Sequence, residues 1–109
     1  MAFEATLDTT SENGSAIITL NGQLDAAAAP SFRQKVEEAA AANPKRLVLR
    51  MEGLDYMASA GLRTLVFAKQ KMGANVTIYV IGAQESVAET IELTGFQHSV
   101  VMQPDYQPA

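Results

Sequence analysis

Apolar and polar residues along the first part of the chain predict two short strands joined by a tight turn. Residues 3–10 begin with an alternation of apolar and polar side chains, which is typical of a half-buried strand. Turn-forming residues follow at 11–15, where Asn13-Gly14 is a strong hairpin signal. A second strand is predicted at 16–20, and Asn21-Gly22 is expected to end it. The two strands are therefore predicted to be antiparallel partners.

The pattern then changes to the spacing of an amphipathic helix. Pro30 is tolerated only in the first turn of a helix, so the helix is expected to begin one or two residues before it. Phe32 and Val36 recur at helical spacing. Asn43-Pro44 should end the helix, because proline disfavours helical geometry in the residue before it. A third strand is predicted at 46–51.

The rest of the chain repeats this alternation of strand and helix. A loop is predicted at 52–55, followed by a helix at 60–72 with Leu62, Leu65, Val66 and Lys69 on one stripe and a stop at Gly73-Ala74-Asn75. A strongly apolar strand is predicted at 76–81. A third helix opens at 82–86, with Val87 and Ile91 facing inward and a stop at Gly95, and a short edge strand is predicted at 96–102.

Strands that alternate with helices at short spacing predict an α/β fold. We expect a mixed, mostly parallel sheet of four to five strands packed with helices. The chain has 109 residues, which suits one domain with its own core. That domain is predicted at 1–102, and residues 103–109, with two prolines, are predicted to be a frayed tail.

Composition and charge exclude several classes of function. The net charge of −4 and the scattered basic residues argue against a nucleic-acid surface. No apolar run has the length of a membrane span, and the N-terminus has no signal-peptide pattern. The absence of Cys excludes disulfides and thiolate metal sites and is compatible with a cytoplasmic protein. With a single His, the inventory favours a binding or switching module over an enzyme.

Ser59 stands where an extended segment is predicted to turn into the second helix. A serine in this place is a common N-cap, and that structural role needs no function. The small neighbours Ala58, Ala60 and Gly61 also leave the hydroxyl accessible, and a helix N-terminus suits an added anion. Nucleophilic catalysis is disfavoured, because the motif lacks the first Gly of G-x-S-x-G and the only imidazole is far along the chain. A cap and a phosphoacceptor therefore both stay open.

Other polar residues carry weaker signals. Asp25 follows a strand and precedes a helix, so it is either a helix-entry cap or part of a polar binding surface. Asp55 is interpreted as a solvated loop acid and His98 as a surface or edge-strand residue. No spacing of His, Asp or Glu indicates a metal site. Gly53 and Gly61 are not followed by the Lys-Ser/Thr signature of a phosphate-binding loop, so no cofactor is predicted.

Four blocks of residues resemble the landmarks of the STAS domain of bacterial anti-sigma factor antagonists. The resemblance covers nearly the whole chain, and its most specific piece is the Ser-Ala-Gly-Leu-Arg sequence that follows a strand and a loop. The blocks are Asn21-Gly22-Gln23-Leu24-Asp25, Leu47-Val48-Leu49, Tyr56-Met57-Ala58-Ser59-Ala60-Gly61-Leu62-Arg63 and Leu93-Thr94-Gly95-Phe96.

The resemblance implies a partner-switching protein rather than an enzyme. In that family the unphosphorylated antagonist binds an anti-sigma factor that is usually also a serine kinase. The kinase phosphorylates a serine at the start of a helix and weakens the complex, and a PP2C-type phosphatase reverses the modification. Ser59 occupies that position here, and the ATP and metal belong to the kinase. The expected binding surface comprises Asp25, Tyr56, Met57, Ala58, Ser59, Leu62 and Arg63. Met57 serves either as an adaptable surface contact or as a core residue.

Two positions depart from the family pattern. The family commonly has Asp immediately before the phosphorylated serine, where this chain has Ala58. It commonly has a second Asp at the end of the central strand, where this chain has Arg50 or the nearby Glu52. These changes keep open a second hypothesis, in which the domain is a constitutive scaffold or dimerisation module with a non-sigma output and no phosphorylation.

Overall fold

The computed structural model describes residues 2–9 and 14–105. Over these residues the chain forms five strands and three α-helices, with a short 3-10 helix near the end. In chain order they are β1 (Glu4–Asp8), β2 (Ser15–Leu24), α1 (Ala29–Ala41), β3 (Arg46–Met57), α2 (Ser59–Met72), β4 (Thr77–Ile81), α3 (Glu85–Leu93), the 3-10 helix (Phe96–His98) and β5 (Val101–Gln103). The predicted α/β fold is confirmed.

The strands form one mixed sheet in the order β1-β2-β3-β4-β5. Only β1 and β2 are antiparallel, and every later pair is parallel. Because the parallel strands follow one another across the sheet and such crossovers are right-handed, all three helices are expected on one face. The three parallel connections also bring the carboxyl ends of β2, β3 and β4 to the same edge of the sheet.

The core confirms this layering. Side chains from the three helices, including Phe32, Leu65 and Ile91, share one buried cluster with alternate residues of the strands. The residues between them, such as Val48 and Tyr79, form a second cluster made only of strand residues, on the opposite face. β4 is buried on both faces over residues 78–81, which agrees with its prediction as an interior strand.

Two strands are longer than predicted, because each contains a glycine that indicates an end in the sequence but lies inside the strand in the structure. β2 continues through Asn21-Gly22 as far as Leu24, with two register shifts against β3. Gly22 adopts φ +90°, a conformation that glycine accepts without steric cost, so the irregularity is absorbed inside the strand. The predicted loop at 52–55 is likewise part of β3, where it stays paired with β2 beyond the last β4 contact at Arg50.

The helices begin and end close to their predicted positions. α1 begins at Ala29 with Pro30 in its first turn, and α2 is followed by Gly73 at φ +82°. The predicted stripe of α2 was wrong in part, because its buried residues are Gly61, Thr64, Leu65 and Ala68, whereas Val66 is exposed. Small residues on this face allow α2 to lie close to the sheet.

The predicted turn and tail are only partly within the described residues. Asn13 of the Asn13-Gly14 hairpin lies outside them, as does Thr10 at the end of the first predicted strand. Gln103 is the last residue of β5, so the tail predicted from this residue begins no earlier than Pro104. Residues 106–109 lie outside the description.

Candidate functional site

The sequence-predicted surface is built where β2 and β3 end side by side. Leu24, the last residue of β2, is paired with Met57, the last residue of β3. The backbone N–H of Ala58 then donates to the carbonyl of Leu24 at 2.9 Å, which extends the strand contact by one residue. Asp25 and Ser59 follow directly on the two strands. The fold therefore brings together two segments that are more than thirty residues apart in sequence.

Ser59 is the first residue of α2, so the N-cap role, one of the two roles left open for it, is not the one the structure shows. The cap is Ala58, which has extended backbone angles and whose carbonyl accepts from the N–H groups of Gly61 at 3.0 Å and Leu62 at 3.1 Å. The physical reason is the bond from Ala58 to Leu24, which holds Ala58 on the sheet and moves the turn one residue earlier. Within the described residues the Ser59 hydroxyl makes no hydrogen bond, and its side chain is exposed. It is therefore accessible to a modifying enzyme.

Asp25 organises the entry to the neighbouring helix. Its side-chain oxygen Oδ1 accepts from the backbone N–H of Ala28 at 2.9 Å, and its carbonyl accepts from the N–H groups of Ala28 and Ala29. The residue closes the turn before α1 although it is not the formal N-cap, which is Ala28. Its carboxylate remains exposed beside the end of β3. Asp25 can therefore close the turn before α1 and also present its carboxylate on the surface.

Tyr56 and Met57 point in opposite directions because they are adjacent in a strand. Tyr56 is 49% exposed and is the large aromatic side chain that this edge of the sheet presents to solvent. Met57 is 2% exposed and lies in the main core, so its inclusion as a surface contact is corrected. It supports the surface from below, together with Leu24 and Gly61. A Cβ on Gly61 would stand 2.7 Å from Cγ of Leu24 and 3.1 Å from Cγ of Met57, so only glycine lets α2 approach this closely.

An open groove of about 400 Å³ runs between α1 and α2 from Ala60 outward. Most of its lining residues are apolar, and two arginines, Arg33 from α1 and Arg63 from α2, also line it. The Arg33 guanidinium lies 4.0 Å from the centroid of the Phe67 ring, an arrangement typical of a cation–π contact. Leu62, by contrast, is half-buried and packs against the core. Of the two predicted residues from this turn, Arg63 is the exposed one.

Sequence reasoning missed Arg33, Phe67, Gln84 and Ser86 at this edge. Gln84 Nε2 donates to the carbonyl of Glu52 at 2.9 Å and to Oδ1 of Asp55 at 3.3 Å, and the Ser86 hydroxyl donates to the carbonyl of Asp55 at 3.3 Å. These hydrogen bonds hold the part of β3 after Arg50, which is no longer paired with β4. The sequence did indicate the location of Gln84 and Ser86, because they follow β4 and the carboxyl ends of parallel strands meet at one edge of the sheet.

The residues that depart from the family pattern have local partners. Arg50 donates through one terminal nitrogen to Glu52 at 3.1 Å, with both side chains about half exposed. Glu52 therefore presents its charge within an ion pair. Ala58 supplies the helix cap through its backbone alone. Asp25 and Arg63 are the charged residues of the predicted surface, and both are exposed.

The described residues contain no group of three or more His, Asp or Glu side chains placed to hold a metal ion. His98 lies in the 3-10 helix, exposed, and makes no hydrogen bond to Ser59. None of the helices in the described part of the chain has the length and apolar character that crossing a bilayer requires.

Comparison with known proteins gives a consistent result. The family model described as the STAS domain matches residues 6–109. The anti-sigma-F factor antagonist RsfB of Mycobacterium tuberculosis is 27% identical over 90 residues, which cover 83% of this chain and 74% of that protein.

Solved structures share the fold at lower identity. An anti-sigma factor antagonist from Mycobacterium paratuberculosis superposes with a TM-score of 0.85 at 21% identity, over 94% of this chain and 86% of the other. The anti-sigma factor antagonist SpoIIAA in its unphosphorylated form gives a TM-score of 0.73 at 19% identity, over 93% of this chain and 87% of the other. The phosphorylated form of Bacillus SpoIIAA gives 0.68 at 18% identity, over 93% and 90% of the two chains. Both states of that protein thus keep the fold described here.

Proposed function

Because this chain belongs to the STAS domain family, we propose that it is an anti-sigma factor antagonist that works as a partner-switching module. In its unphosphorylated state it binds an anti-sigma factor that is also a serine kinase, and phosphorylation of Ser59 releases it. A PP2C-type phosphatase restores the binding state. The relative from M. tuberculosis is named as an anti-sigma-F factor antagonist, which supports the antagonist part of the proposal. The protein itself performs no catalysis in this scheme.

One observation carries the proposal: the Ser59 hydroxyl is exposed on the edge where β2 and β3 end, and no described residue forms a hydrogen bond with it. Serine phosphorylation requires an accessible hydroxyl. The kinase transfers the γ-phosphoryl group of ATP to Oγ of Ser59, with release of ADP and the hydroxyl proton. If Ser59 were the N-cap, its hydroxyl would accept a hydrogen bond from a backbone N–H of the first turn. The N-cap in this structure is Ala58.

The release follows from where the charge is placed. A phosphate adds about −1.5 to −2 charges near neutral pH. At Ser59 this charge lies at the N-terminus of α2, where the helix field tolerates an anion, so the fold is not expected to change. The same charge lies beside Tyr56 and Asp25 on the exposed edge. A partner that covers this edge must then desolvate a dianion next to a carboxylate, which weakens the complex.

The kinase step can be tested with a matched control. Ser86 is a second exposed serine in the first turn of a helix at the same edge, but its hydroxyl is bonded to the carbonyl of Asp55. The protein is incubated with ATP and candidate serine kinases of the histidine-kinase-like ATPase fold, and phosphate is mapped by mass spectrometry. We expect one phosphate on Ser59, none in Ser59→Ala, and unchanged incorporation in Ser86→Ala. Incorporation that persists in Ser59→Ala would contradict the proposal.

A failure of every kinase to modify Ser59 would favour the scaffold or dimerisation hypothesis. Partner affinity then separates the two functions, because a constitutive scaffold is indifferent to charge at this position. Under the switch we expect Ser59→Asp to weaken anti-sigma factor binding. Ser99→Asp, at an exposed serine before β5 and therefore at the opposite edge of the sheet, should leave it nearly unchanged. Equal weakening by both variants would show a general effect of added negative charge.

A further inference from the structure

Arg63 lies one helical turn after Ser59, on the same side of α2. Residues four apart on a helix have Cβ atoms about 5–6 Å from each other, and an acidic group placed N-terminal to a basic one is the favourable order. A phosphate on Ser59 and the guanidinium of Arg63 would have this relation. Guanidinium and phosphate also match in geometry, because two N–H groups can donate to two phosphate oxygens.

Arg63 has no competing acidic partner. The residues three and four positions from it on α2 are Ser59, Ala60, Val66 and Phe67, and none of them is charged. The ion pairs found among the described residues do not include Arg63. The arginine is exposed and lines the groove between α1 and α2. Its guanidinium is thus available before modification of Ser59.

Two other charged residues near the beginnings of α1 and α2, Arg33 and Asp25, already have partners. Arg33 lies over the Phe67 ring, and its Nε is 4.0 Å from Oε1 of Glu37. The Asp25 carboxylate accepts the N–H of Ala28. Arg63 is therefore the cation of this face best placed to respond to a charge on Ser59.

We propose that phosphorylated Ser59 forms an ion pair with Arg63 along α2 and so removes the free cation from the groove. This inference rests on the proposed function for the modification of Ser59 and specifies how the modified surface differs. Before phosphorylation the turn presents one positive charge. Afterwards the pair carries a net charge of about −0.5 to −1, since the phosphate contributes about −1.5 to −2. A partner carboxylate that meets Arg63 in the unmodified protein then loses its counter-charge.

The pairing is tested by the second ionisation of the phosphate, which needs no partner. The protein is made with genetically encoded phosphoserine at 59, and the phosphate is titrated by phosphorus NMR at low ionic strength. A nearby cation stabilises the dianion and lowers the second pKa of the phosphate. We expect Arg63→Gln to raise that pKa by roughly 0.2–0.4 units and Arg63→Lys to raise it by less than half as much. High salt should reduce the difference.

Arg33→Gln is the matched control, because it removes the same charge from the opposite side of the groove. We expect it to raise the phosphate pKa by less than half of the Arg63→Gln effect. An equal effect from both variants, or no effect from Arg63→Gln, would overturn the proposal. Circular dichroism of each variant checks that α2 is intact. Because no kinase or partner enters this titration, its result is independent of whether a kinase modifies Ser59.

Discussion

Replacing Ala58 by Asp tests how the second helix begins. The structure makes Ala58 the N-cap, with φ −79° and ψ 169°, and no side chain caps the helix. The N–H groups of the first turn are open to a side-chain acceptor from that position. Asp or Asn at an N-cap supplies it, and relative to Ala this stabilises a protein by about 0.5–2 kcal/mol. The family commonly carries Asp here, so the variant also restores the acidic residue that this chain lacks.

The expected gain can be separated into two terms. Ala58→Asn provides the cap hydrogen bond without charge, and we expect about 1 kcal/mol from it. Ala58→Asp adds an anion at the helix N-terminus, which contributes a further 0.3–1 kcal/mol or so at low ionic strength. For a domain of this size, each kcal/mol corresponds to roughly 4 °C in the thermal midpoint. The Asp-specific part should fall with added salt, and the shared part should not.

Urea unfolding of the three proteins at low and high salt measures both terms. A gain below about 0.3 kcal/mol in both variants would refute the assignment of Ala58 as the cap, because a correctly placed acceptor contributes more than this. It would also return the cap role to Ser59. In that case Ser59→Ala would lose stability, so the two experiments check each other.

Three further stability predictions follow from the site geometry, each measured by urea unfolding. Ser59→Ala should change the free energy of unfolding by less than about 0.5 kcal/mol, because the hydroxyl is exposed and unbonded; a loss near 1 kcal/mol would mean that it caps the helix. Gly61→Ala should destabilise by about 1–3 kcal/mol through overpacking against Leu24, and a net gain would mean that the core relaxes around the methyl group. Met57→Ala should cost about 2–5 kcal/mol, whereas a value below 1 kcal/mol would place the side chain at the surface.

The order of the elements followed from local pattern, but the extent of the strands did not. Asn21-Gly22 and Glu52-Gly53 are turn-forming pairs by composition, yet both lie inside paired strands. Strand continuation depends on the neighbouring chain, and β2 and β3 support each other through these positions. A local pattern has no information on that partner. The same limit explains why β3 was predicted to end at Met51.

The candidate site was predictable in outline and not in detail. Asp25 and Ser59 were predictable because each follows a strand that leads into a helix. The change of cap from Ser59 to Ala58 was not, since it depends on the tertiary bond between Ala58 and Leu24. Burial of Met57 likewise depends on the close approach at Gly61.

The groove shows the same dependence on tertiary packing. Arg33 and Phe67 become neighbours only when α1 and α2 pack together. Their positions within the two separate helices do not indicate this contact. The groove therefore follows from the fold rather than from any motif.

In the proposed switch, phosphate on Ser59 controls partner binding without changing the fold. The direct measurement is the affinity of the anti-sigma factor for unmodified protein and for protein carrying phosphoserine at 59. Protein carrying phosphoserine at 99, an exposed position before β5 at the opposite edge of the sheet, is the control. Thermal midpoints are recorded on the same samples. We predict at least a tenfold loss of affinity for the modified Ser59 protein, corresponding to about 1.4 kcal/mol, with little change in its midpoint and little loss for the control. Equal affinity of the unmodified and Ser59-phosphorylated proteins would contradict the account.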